Sequence, residues 1–385
     1  MITHMFTAVA PVNIAVIKYW GKKDEKLILP INDSVSITLS KKEMCAKTTV
    51  ACSEHFECDR MWLNGKEQDI QAPRLQNCIT ELKKRARNVK VLNLHLHICS
   101  ENNFPTAAGL ASSAAGFACL VKALSALYDV EGDLSQIARQ GSGSASRSMY
   151  GGFVQWVAGT QADGSDSVAR LIAPREHWPE MRALILVVNA GKKEIGSTKG
   201  MQQSVLTSSL LPYRVSNIVP ERVEAIKKAI LQKDFQTFAE ITMKESNQFH
   251  AICLDTFPPI QYMNSTSFKI IHLVHVYNEF YGENKVAYTF DAGPNACLYL
   301  LEKDVPEVIS IIKTVFPPSN NGAELIKGLD TPDVSISQVL LDSLHMTPEP
   351  GAIQYVINTQ IGSGPAIIQE TGQHLLDGKG LPLSK

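Results

Sequence analysis

The chain has 385 residues, a length that favours two domains over a single core. With 44% hydrophobic and 19% charged residues it has the composition of a folded globular protein rather than a disordered one. Its formal net charge of −1 provides no overall positive field of the kind that favours nucleic acid, and it lacks the apolar run of about eighteen residues that predicts a membrane span.

The first half of the chain predicts strands followed by helices. Alternating apolar and polar residues indicate the strands, and Asn64-Gly65 predicts a turn after the strand over 60–63. Apolar residues at helical spacing predict the helices. In chain order the predicted elements are strands 12–19, 34–39, 47–52 and 60–63, helix 74–86, strand 93–99, two helices with a Gly/Ser segment near Gly141, strand 153–157 and a polar loop over 159–167.

A run of small residues follows strand 93–99 and opens into the next helix, NFPTAAGLASSAAG at 103–116. Small side chains let an anion approach the backbone, and the first N–H groups of a helix have no internal partner. These groups, with Ser112 and Ser113 as further ligands for phosphate or magnesium, predict a phosphate site. A tightly packed helix start without any ligand explains the same composition, and no lysine follows the glycine as in a Walker A loop.

The second half of the chain predicts an α+β arrangement that begins with a strand buried on both faces over 182–188. Lys192, Glu194, Ser197 and Thr198 are assigned to a polar loop after this strand. The remaining predicted elements are helices 220–232, 235–250 and 267–281, strands 286–290 and 296–301, helix 305–315 and strand 352–359. Mixed sheets with helices on one side fit two α+β lobes.

Three side-chain groups outside the small-residue run suggest anion chemistry. Lys18 and Lys22 flank an aromatic pair at a strand end, where they suit a diphosphate, although lysines there are usually solvated. Ser144 and Arg147 end a small-residue loop that suits a carboxylate, because arginine binds carboxylates bidentately; the alternative is a surface turn. Asp291, in Asp-Ala-Gly-Pro-Asn between two strands, is on its own simply a good turn residue.

Four segments in this order resemble the superfamily of galactokinase, homoserine kinase, mevalonate kinase and phosphomevalonate kinase. They are APVNIAVIKYWGK at 10–22, the run at 103–116, GSGSASRS at 141–148 and FDAGPN at 290–295. The PTAAGLASS form of the phosphate loop, in which Ala107 and Ala111 replace glycines, is similar to the mevalonate diphosphate decarboxylase branch. Ser146 stands where many members of that branch have cysteine.

The resemblance implies an α+β fold of two lobes, an N-terminal mixed sheet with helices and a C-terminal ferredoxin-like α/β sandwich, with the active site in the cleft between them. It places the lobes at 1–181 and 182–385, the first binding ATP and substrate and the second carrying the catalytic Asp. It implies ATP-dependent decarboxylation of (R)-5-diphosphomevalonate to isopentenyl diphosphate, ADP, phosphate and CO₂, by phosphorylation of the tertiary 3-hydroxyl. ATP and Mg²⁺ are the implied cofactors, and a homodimer is the implied assembly.

The same resemblance assigns roles to individual residues. Asp291, Lys18 and Arg147 are the implied catalytic residues, with Asp291 beside the tertiary alcohol and Arg147 on the carboxylate that is lost. The implied nucleotide site is Pro105, Ala108, Gly109, Leu110, Ala111, Ser112 and Ser113, with Ser112 as the magnesium ligand. The implied substrate site is Asn13, Tyr19, Trp20, Gly21, Lys22, Arg74, Ser142, Gly143, Ser144, Ala145, Ser146, Arg147, Ser197 and Thr198.

Other readings stay open on the sequence alone. A small-molecule kinase of the same superfamily, acting on mevalonate or phosphomevalonate, is the alternative enzyme, and a nucleic-acid-binding module is the alternative of another class; the near-neutral charge disfavours the latter. His95 and His97 alternate on one strand, which we interpret as structural rather than metal-binding. Trp62 and Asn64 are candidates to border the nucleotide base. Eight scattered cysteines without a C-x-x-C pair suggest reduced thiols, and we expect a cytoplasmic location.

Overall fold

The computed structural model describes residues 2–104, 112–188, 194–319, 324–370 and 372–383. Across these ranges most of the chain lies in strands and helices, joined by short connections. The strands are β1 (His4–Pro11), β2 (Asn13–Ile17), β3 (Lys22–Asp24), β4 (Leu29–Pro30), β5 (Ser34–Thr38), β6 (Cys45–Ser53), β7 (Arg60–Leu63), β8 (Lys66–Gln68), β9 (His95–Asn102), β10 (Phe153–Trp156), β11 (Ala169–Ala173), β12 (Met181–Val187), β13 (Val286–Phe290), β14 (Ala296–Leu301), β15 (Ile326–Gly328), β16 (Tyr355–Gln360) and β17 (Ala366–Ile368).

The helices of the described chain pack against these sheets. Three short 3₁₀ turns, at Val89–Val91, Arg175–His177 and Glu302–Asp304, and one π-helical turn at Arg214–Ile218 complete the helical structure of these ranges. The α-helices are α1 (Pro73–Lys84), α2 (Ser112–Tyr128), α3 (Ser135–Gly141), α4 (Ala145–Ser148), α5 (Ser197–Thr207), α6 (Leu210–Tyr213), α7 (Val219–Gln232), α8 (Phe235–Asp255), α9 (Ser265–Tyr281), α10 (Val305–Val315) and α11 (Gln338–Leu344).

Two sheets are built mainly from the first half of the chain. One has the order β17-β1-β6-β9-β7-β8 and is mixed, because β7 and β9 run parallel while its other neighbours run antiparallel. The other is antiparallel, with the order β11-β10-β5-β2. Helix α2 packs on β1 and β6 through small side chains, and its buried Cys119 thiol lies 3.1 Å from the carbonyl oxygen of Ala8. The small residues of α2 therefore serve close packing along its length.

The second half of the chain forms a five-stranded sheet of order β13-β14-β12-β16-β15, with β15 and β16 parallel. Its central strand β12 is buried almost throughout, as its continuous apolar sequence predicts. Helix α8 packs on β13 and also on β2, and the Tyr299 hydroxyl of β14 lies 3.3 Å from the Ile14 carbonyl oxygen. These contacts join the two halves through one continuous apolar core.

The mixed α and β architecture expected from the sequence is confirmed, whereas the division at 181/182 stays a prediction. Helices α7, α9 and α10 and strands β7, β13 and β14 lie within two residues of their predicted bounds. Three predicted segments have bounds that differ by more than two residues, because helix 235–250 continues to Asp255, strand 93–99 is shifted to His95–Asn102 and strand 352–359 begins at Tyr355. One expectation is wrong, since Ser197 begins helix α5 instead of lying in a loop.

Candidate active site

A cavity of about 570 Å³ opens where β2 ends, α2 and α5 begin and the chain turns after β13. It brings together residues that are far apart in the sequence. Apolar side chains that the sequence did not single out, Ile28, Met201 and Phe249, form part of its wall. The site residues implied by the resemblance that line it are Asn13, Lys18, Tyr19, Trp20, Lys22, Arg74, Ser112, Ser113, Ser142, Gly143, Ser144, Arg147, Ser197, Thr198 and Asp291.

Three of the implied substrate residues do not line the cavity but shape it. Gly21 has a φ of +98°, and a Cβ there would overlap the Ile31 side chain, so the turn after Trp20 requires glycine. Ala145 is fully buried, and the Ser146 hydroxyl donates to the Gly143 carbonyl oxygen at 2.7 Å. Ala145 and Ser146 hold the loop that carries Ser144 and Arg147.

Lys18 and Asp291 form an ion pair at the cavity wall. Lys18 follows β2, Asp291 follows β13, and the Lys18 Nζ lies 2.6 Å from the Asp291 Oδ1. The Lys18 side chain is 3% exposed and that of Asp291 is 29% exposed, so the carboxylate is the partner that an incoming molecule can reach. An ammonium at this distance stabilises an ionised carboxylate, which can then accept a hydrogen bond or a proton from a hydroxyl.

Arg147 places a buried positive charge in the wall of the same cavity. Its Nε donates to the Asn13 Oδ1 at 3.2 Å and its Nη1 donates to the Ser34 hydroxyl at 2.5 Å. Burial lowers the pKa of Arg147 to about 10, which still leaves it charged at neutral pH. Among the described residues, no carboxylate lies within ion-pair distance of its guanidinium. The charge is therefore available to an anion in the cavity.

Asn13 orients this arginine from strand β2. Its amide nitrogen donates to the Ser144 carbonyl oxygen at 3.0 Å and to the Ser148 hydroxyl at 2.7 Å, while its oxygen accepts from Arg147. Both the nitrogen and the oxygen of the Asn13 amide therefore form hydrogen bonds within the protein. Asn13 fixes the loop and the guanidinium relative to each other.

The aromatic pair after Lys18 is held differently on each side. Tyr19 packs edge-on against Trp156 at 4.7 Å between ring centroids, and an added Cβ on Gly143 would lie 2.9 Å from the Tyr19 ring. Burial raises the pKa of Tyr19, and within the described chain its hydroxyl has no hydrogen-bond partner although it lines the cavity. Trp20 donates from Nε1 to Ser204 at 2.9 Å. The Tyr19 ring is thus fixed by packing and the Trp20 ring by a hydrogen bond.

Cationic side chains lie at the edge of the same space. Lys22 is 2.6 Å from the Glu25 carboxylate, and Arg74, near the start of α1, donates to the Thr198 hydroxyl at 3.2 Å. Thr198 lies at the start of α5, so this hydrogen bond connects α1 with α5 across the cavity. Lys22 and Arg74 add positive charge that suits a phosphorylated molecule.

Helix α2 begins at the cavity with Ser112 and Ser113. The N–H groups at the start of a helix bind phosphate. Serine hydroxyls are hard oxygen ligands that suit a phosphate-bound Mg²⁺. The residues of 2–104, 112–188, 194–319, 324–370 and 372–383 contain no cluster of three His, Cys, Asp or Glu that would hold a metal by themselves. The predicted loop residues Pro105, Ala108, Gly109, Leu110 and Ala111, and Lys192 of the second loop, lie outside the described residues.

Several other side chains near the site were missed from the sequence. Glu245 and His250 lie on the buried face of α8, directly behind Lys18 and Asp291. Burial, with the nearby Lys18 charge, lowers the pKa of His250 to about 3, so it is neutral. A carboxylate on the apolar face of a long helix is a signal that the sequence did contain, since such a group is rarely buried without a partner.

The candidates outside the cavity have structural partners. His95 lies 3.0 Å from the Asp59 carboxylate, and the His97 Nδ1 lies 2.7 Å from the Gly380 carbonyl oxygen, which agrees with the structural interpretation. Trp62 lies under the Arg60 guanidinium, and the Asn64 oxygen accepts from the Asn102 N–H. Neither Trp62 nor Asn64 lines the cavity.

Comparisons with known proteins cover nearly the whole chain. Residues 10–169 match a family described as the diphosphomevalonate decarboxylase-like N-terminal domain, and residues 183–368 match the mevalonate 5-diphosphate decarboxylase C-terminal domain. The diphosphomevalonate decarboxylase of Rattus norvegicus is 55% identical, with 98% of this chain and 97% of the relative covered.

Two solved structures are similar to the fold over almost their full length. Mevalonate diphosphate decarboxylase from Trypanosoma brucei matches with a TM-score of 0.87 and 38% identity, covering 97% of this chain and 100% of that one. A structure described as MDDEF in complex with MVAPP, AMPPCP and magnesium matches with a TM-score of 0.72 and 30% identity, covering 95% and 100%.

Proposed function

The chain belongs to the mevalonate diphosphate decarboxylase family, and from this premise we propose how its cavity carries out the reaction. As a member of that family it is a carboxy-lyase that decarboxylates mevalonate diphosphate. The alternative of a simple kinase is not favoured, because the relatives that match over its full length are decarboxylases. The observation that supports the mechanism is that Lys18, Asp291 and Arg147 line one cavity with the serines of α2.

The reaction begins with activation of the tertiary 3-hydroxyl, because hydroxide is a poor leaving group and phosphate is a good one. Asp291 accepts the hydrogen bond of this hydroxyl and takes its proton as the oxygen attacks the γ-phosphorus of ATP, which releases ADP. Lys18 holds the carboxylate in place through its 2.6 Å contact. Transfer of this kind depends mainly on positioning and on neutralisation of charge.

Decarboxylation completes the reaction. The bond between the tertiary carbon and the phosphorylated oxygen breaks and phosphate leaves with its electron pair. The bond to the carboxylate carbon then supplies the electron pair of the new double bond, giving CO₂ and isopentenyl diphosphate. Arg147 and Ser144 hold the carboxylate until it is lost, and Arg147 is oriented for this by Asn13.

The remaining polar residues bind the phosphorylated groups. Ser112 and Ser113 hold the nucleotide phosphates, with Ser112 as a ligand of Mg²⁺, and the magnesium ion neutralises phosphate charge when bound. A relative solved with AMPPCP, an ATP analogue, and magnesium supports the use of ATP and Mg²⁺. The groups assigned to the substrate diphosphate and its surroundings are Tyr19, Trp20, Lys22, Arg74, Ser142, Gly143, Ser197 and Thr198, whereas Gly21, Ala145 and Ser146 shape the cavity from behind its lining.

The assembly and location of the protein are further parts of the proposal. We propose a homodimer in the cytoplasm, as expected for this family. Six of the eight cysteines are buried and none of the eight forms a disulfide, and burial raises the pKa of Cys78 and Cys119 to about 12, so these two thiols stay protonated. Cysteines without disulfides are compatible with a reducing compartment. No helix in the described part of the chain is both long and apolar enough to cross a bilayer.

Product analysis tests the proposed reaction. With ATP, Mg²⁺ and mevalonate diphosphate we expect one CO₂ and one free phosphate for each ADP formed, because the phosphorylated intermediate eliminates before it leaves the cavity. Radiolabelled CO₂, free phosphate and ADP would be measured in the same samples. A stable phosphorylated acid that accumulates without CO₂ would identify the chain as a kinase.

A further inference from the structure

Both backbone polar groups of Lys18 are held by side chains from the second half of the chain. The Lys18 N–H donates to the Glu245 Oε2 at 3.1 Å, and the Lys18 carbonyl oxygen accepts from the Arg214 Nη2 at 3.2 Å. Lys18 lies one residue beyond the end of β2, where regular strand pairing no longer fixes the backbone. The Lys18 carbonyl oxygen also accepts from the Asn32 Nδ2 at 3.1 Å. Glu245 and Arg214 thus act together with Asn32 to set the position of the residue whose ammonium meets Asp291.

Glu245 and Arg214 are themselves a buried ion pair. The Arg214 Nη2 lies 2.5 Å from the Glu245 Oε2, and the side chains are 1% and 0% exposed. Arg222 contacts the other carboxylate oxygen at 2.6 Å without touching Lys18. Arg214 begins the π-helical turn at Arg214–Ile218, an uncommon local structure that is often found at functional sites. The pair is thus built on α8 and on this turn, away from the cavity lining.

Stability alone does not account for this arrangement. The Nε and Nη1 of Arg214 are buried and have no hydrogen-bond partner within the described chain, which is unfavourable. Well-packed apolar side chains of similar volume are often as stabilising as a buried ion pair, or more so. The pair leaves two Arg214 nitrogens without hydrogen bonds, yet it contacts both the N–H and the carbonyl oxygen of Lys18. This combination indicates that the pair positions Lys18.

The same turn of α8 also holds the other partner of the ion pair. The Ser246 hydroxyl accepts from the N–H of Phe290, the residue immediately before Asp291, at 3.0 Å. Glu245 and Ser246 are neighbours in the helix, so one helical turn contacts the backbone at Lys18 and beside Asp291. The distance between the Lys18 and Asp291 backbones is therefore set from a single rigid element.

We propose that Glu245 and Arg214 are positioning residues. They hold the Lys18 backbone where the Lys18 ammonium contacts the Asp291 carboxylate during the chemical step. The proposal rests on the function proposed above for Lys18 and Asp291. Glu245 and Arg214 touch neither substrate nor nucleotide in this account. Their loss displaces the Lys18 ammonium without removing any group that binds mevalonate diphosphate.

The experiment uses Glu245→Gln and Arg214→Lys in the full chain, with steady-state kinetics on mevalonate diphosphate and ATP. We expect kcat to fall by about 10- to 100-fold, since small misplacements of reacting groups have effects of this order. The KM for mevalonate diphosphate and its Kd by calorimetry stay within about threefold of the parent values. Should Glu245→Gln fail to fold, Arg214→Lys carries the test, because it keeps a positive charge beside Glu245 while shortening the reach to Lys18.

Asp304→Asn is the matched control for the loss of a buried carboxylate. Asp304 is 7% exposed and pairs with Lys285 at 2.9 Å, outside the cavity lining. We expect this variant to melt at a lower temperature while keeping the parental kcat. A comparable loss of kcat in Asp304→Asn, or a loss in Glu245→Gln that appears in KM instead of kcat, would overturn the positioning role.

Lys18→Met separates this inference from the proposed function. If Lys18→Met is nearly inactive while Glu245→Gln and Arg214→Lys are fully active, the positioning role is wrong and the role of Lys18 stands. If Lys18→Met keeps its kcat, the proposed role of Lys18 is itself wrong. Loss of kcat in all three, with the Asp304→Asn control active, is the result that the inference predicts.

Discussion

Asp291→Asn should lower kcat by about 10²- to 10⁴-fold, the range typical of a lost general base. Asn keeps the size of Asp and its preference for turns, so the connection after β13 is retained. It cannot accept the hydroxyl proton, and it removes the negative charge that the Lys18 ammonium contacts at 2.6 Å. Because phosphoryl transfer needs little base strength, part of the loss reflects the lost orientation of the hydroxyl.

The measurement combines steady-state kinetics with the Kd for mevalonate diphosphate and thermal melting. We expect a Kd close to that of the parent, because Asp291 is not assigned to the diphosphate. Asp377→Asn is the matched control, since Asp377 is also a turn residue, accepting from the N–H groups of Lys379 and Leu381, but lies outside the cavity lining. A folded Asp291→Asn variant with a parental kcat would make Asp291 a turn residue only.

Arg147→Gln should lower kcat/KM by about 10²- to 10⁴-fold, since each 1.4 kcal/mol is a factor of about ten. Hydrogen bonds to charged groups contribute about 1.5–3 kcal/mol each, and a guanidinium can make two of them to one carboxylate. Glutamine carries no charge and has a shorter side chain, so the substrate carboxylate loses its counter-charge. The contact between Arg147 and Asn13 is lost as well, which loosens the loop around Ser144.

Arg139→Gln is the control for removing a buried arginine. Arg139 lies in α3, is buried, has a pKa that burial lowers to about 10, and donates to the carbonyl oxygens of Gly164 and Ser167 without lining the cavity. We expect it to lose stability but to keep kcat/KM. If Arg147→Gln binds substrate and turns over as the parent does while still folded, the carboxylate is held elsewhere.

The sequence indicated individual elements better than their contacts. Apolar periodicity located α7, α9 and α10, because each is a long amphipathic segment with clear boundaries. Helix α5 was missed, since its sequence from Ser197 to Thr207 is mostly polar and small and its inner face carries only Gly200, Met201 and Ser204. Strand β17 was missed because it is three residues long and pairs with β1 from the far end of the chain.

The site was located from short motifs, whereas its internal geometry could not be derived from them. Lys18 and Asp291 are 273 positions apart, and no periodicity or turn pattern states that they meet. Only the family resemblance predicted, before the structure, that these two residues belong to one site. Glu245 and Arg214 escaped notice because helical spacing tells which face is buried but not which partner a buried charge will find.

An oxygen label tests whether decarboxylation proceeds by phosphorylation of the tertiary hydroxyl. Mevalonate diphosphate carrying ¹⁸O in its 3-hydroxyl would be turned over with unlabelled ATP, and the free phosphate analysed by mass spectrometry. We expect one ¹⁸O in each phosphate released, because the labelled oxygen attacks the γ-phosphorus and then departs with it. Unlabelled phosphate accompanied by labelled water would contradict the proposed mechanism, since the hydroxyl would then leave without having been phosphorylated.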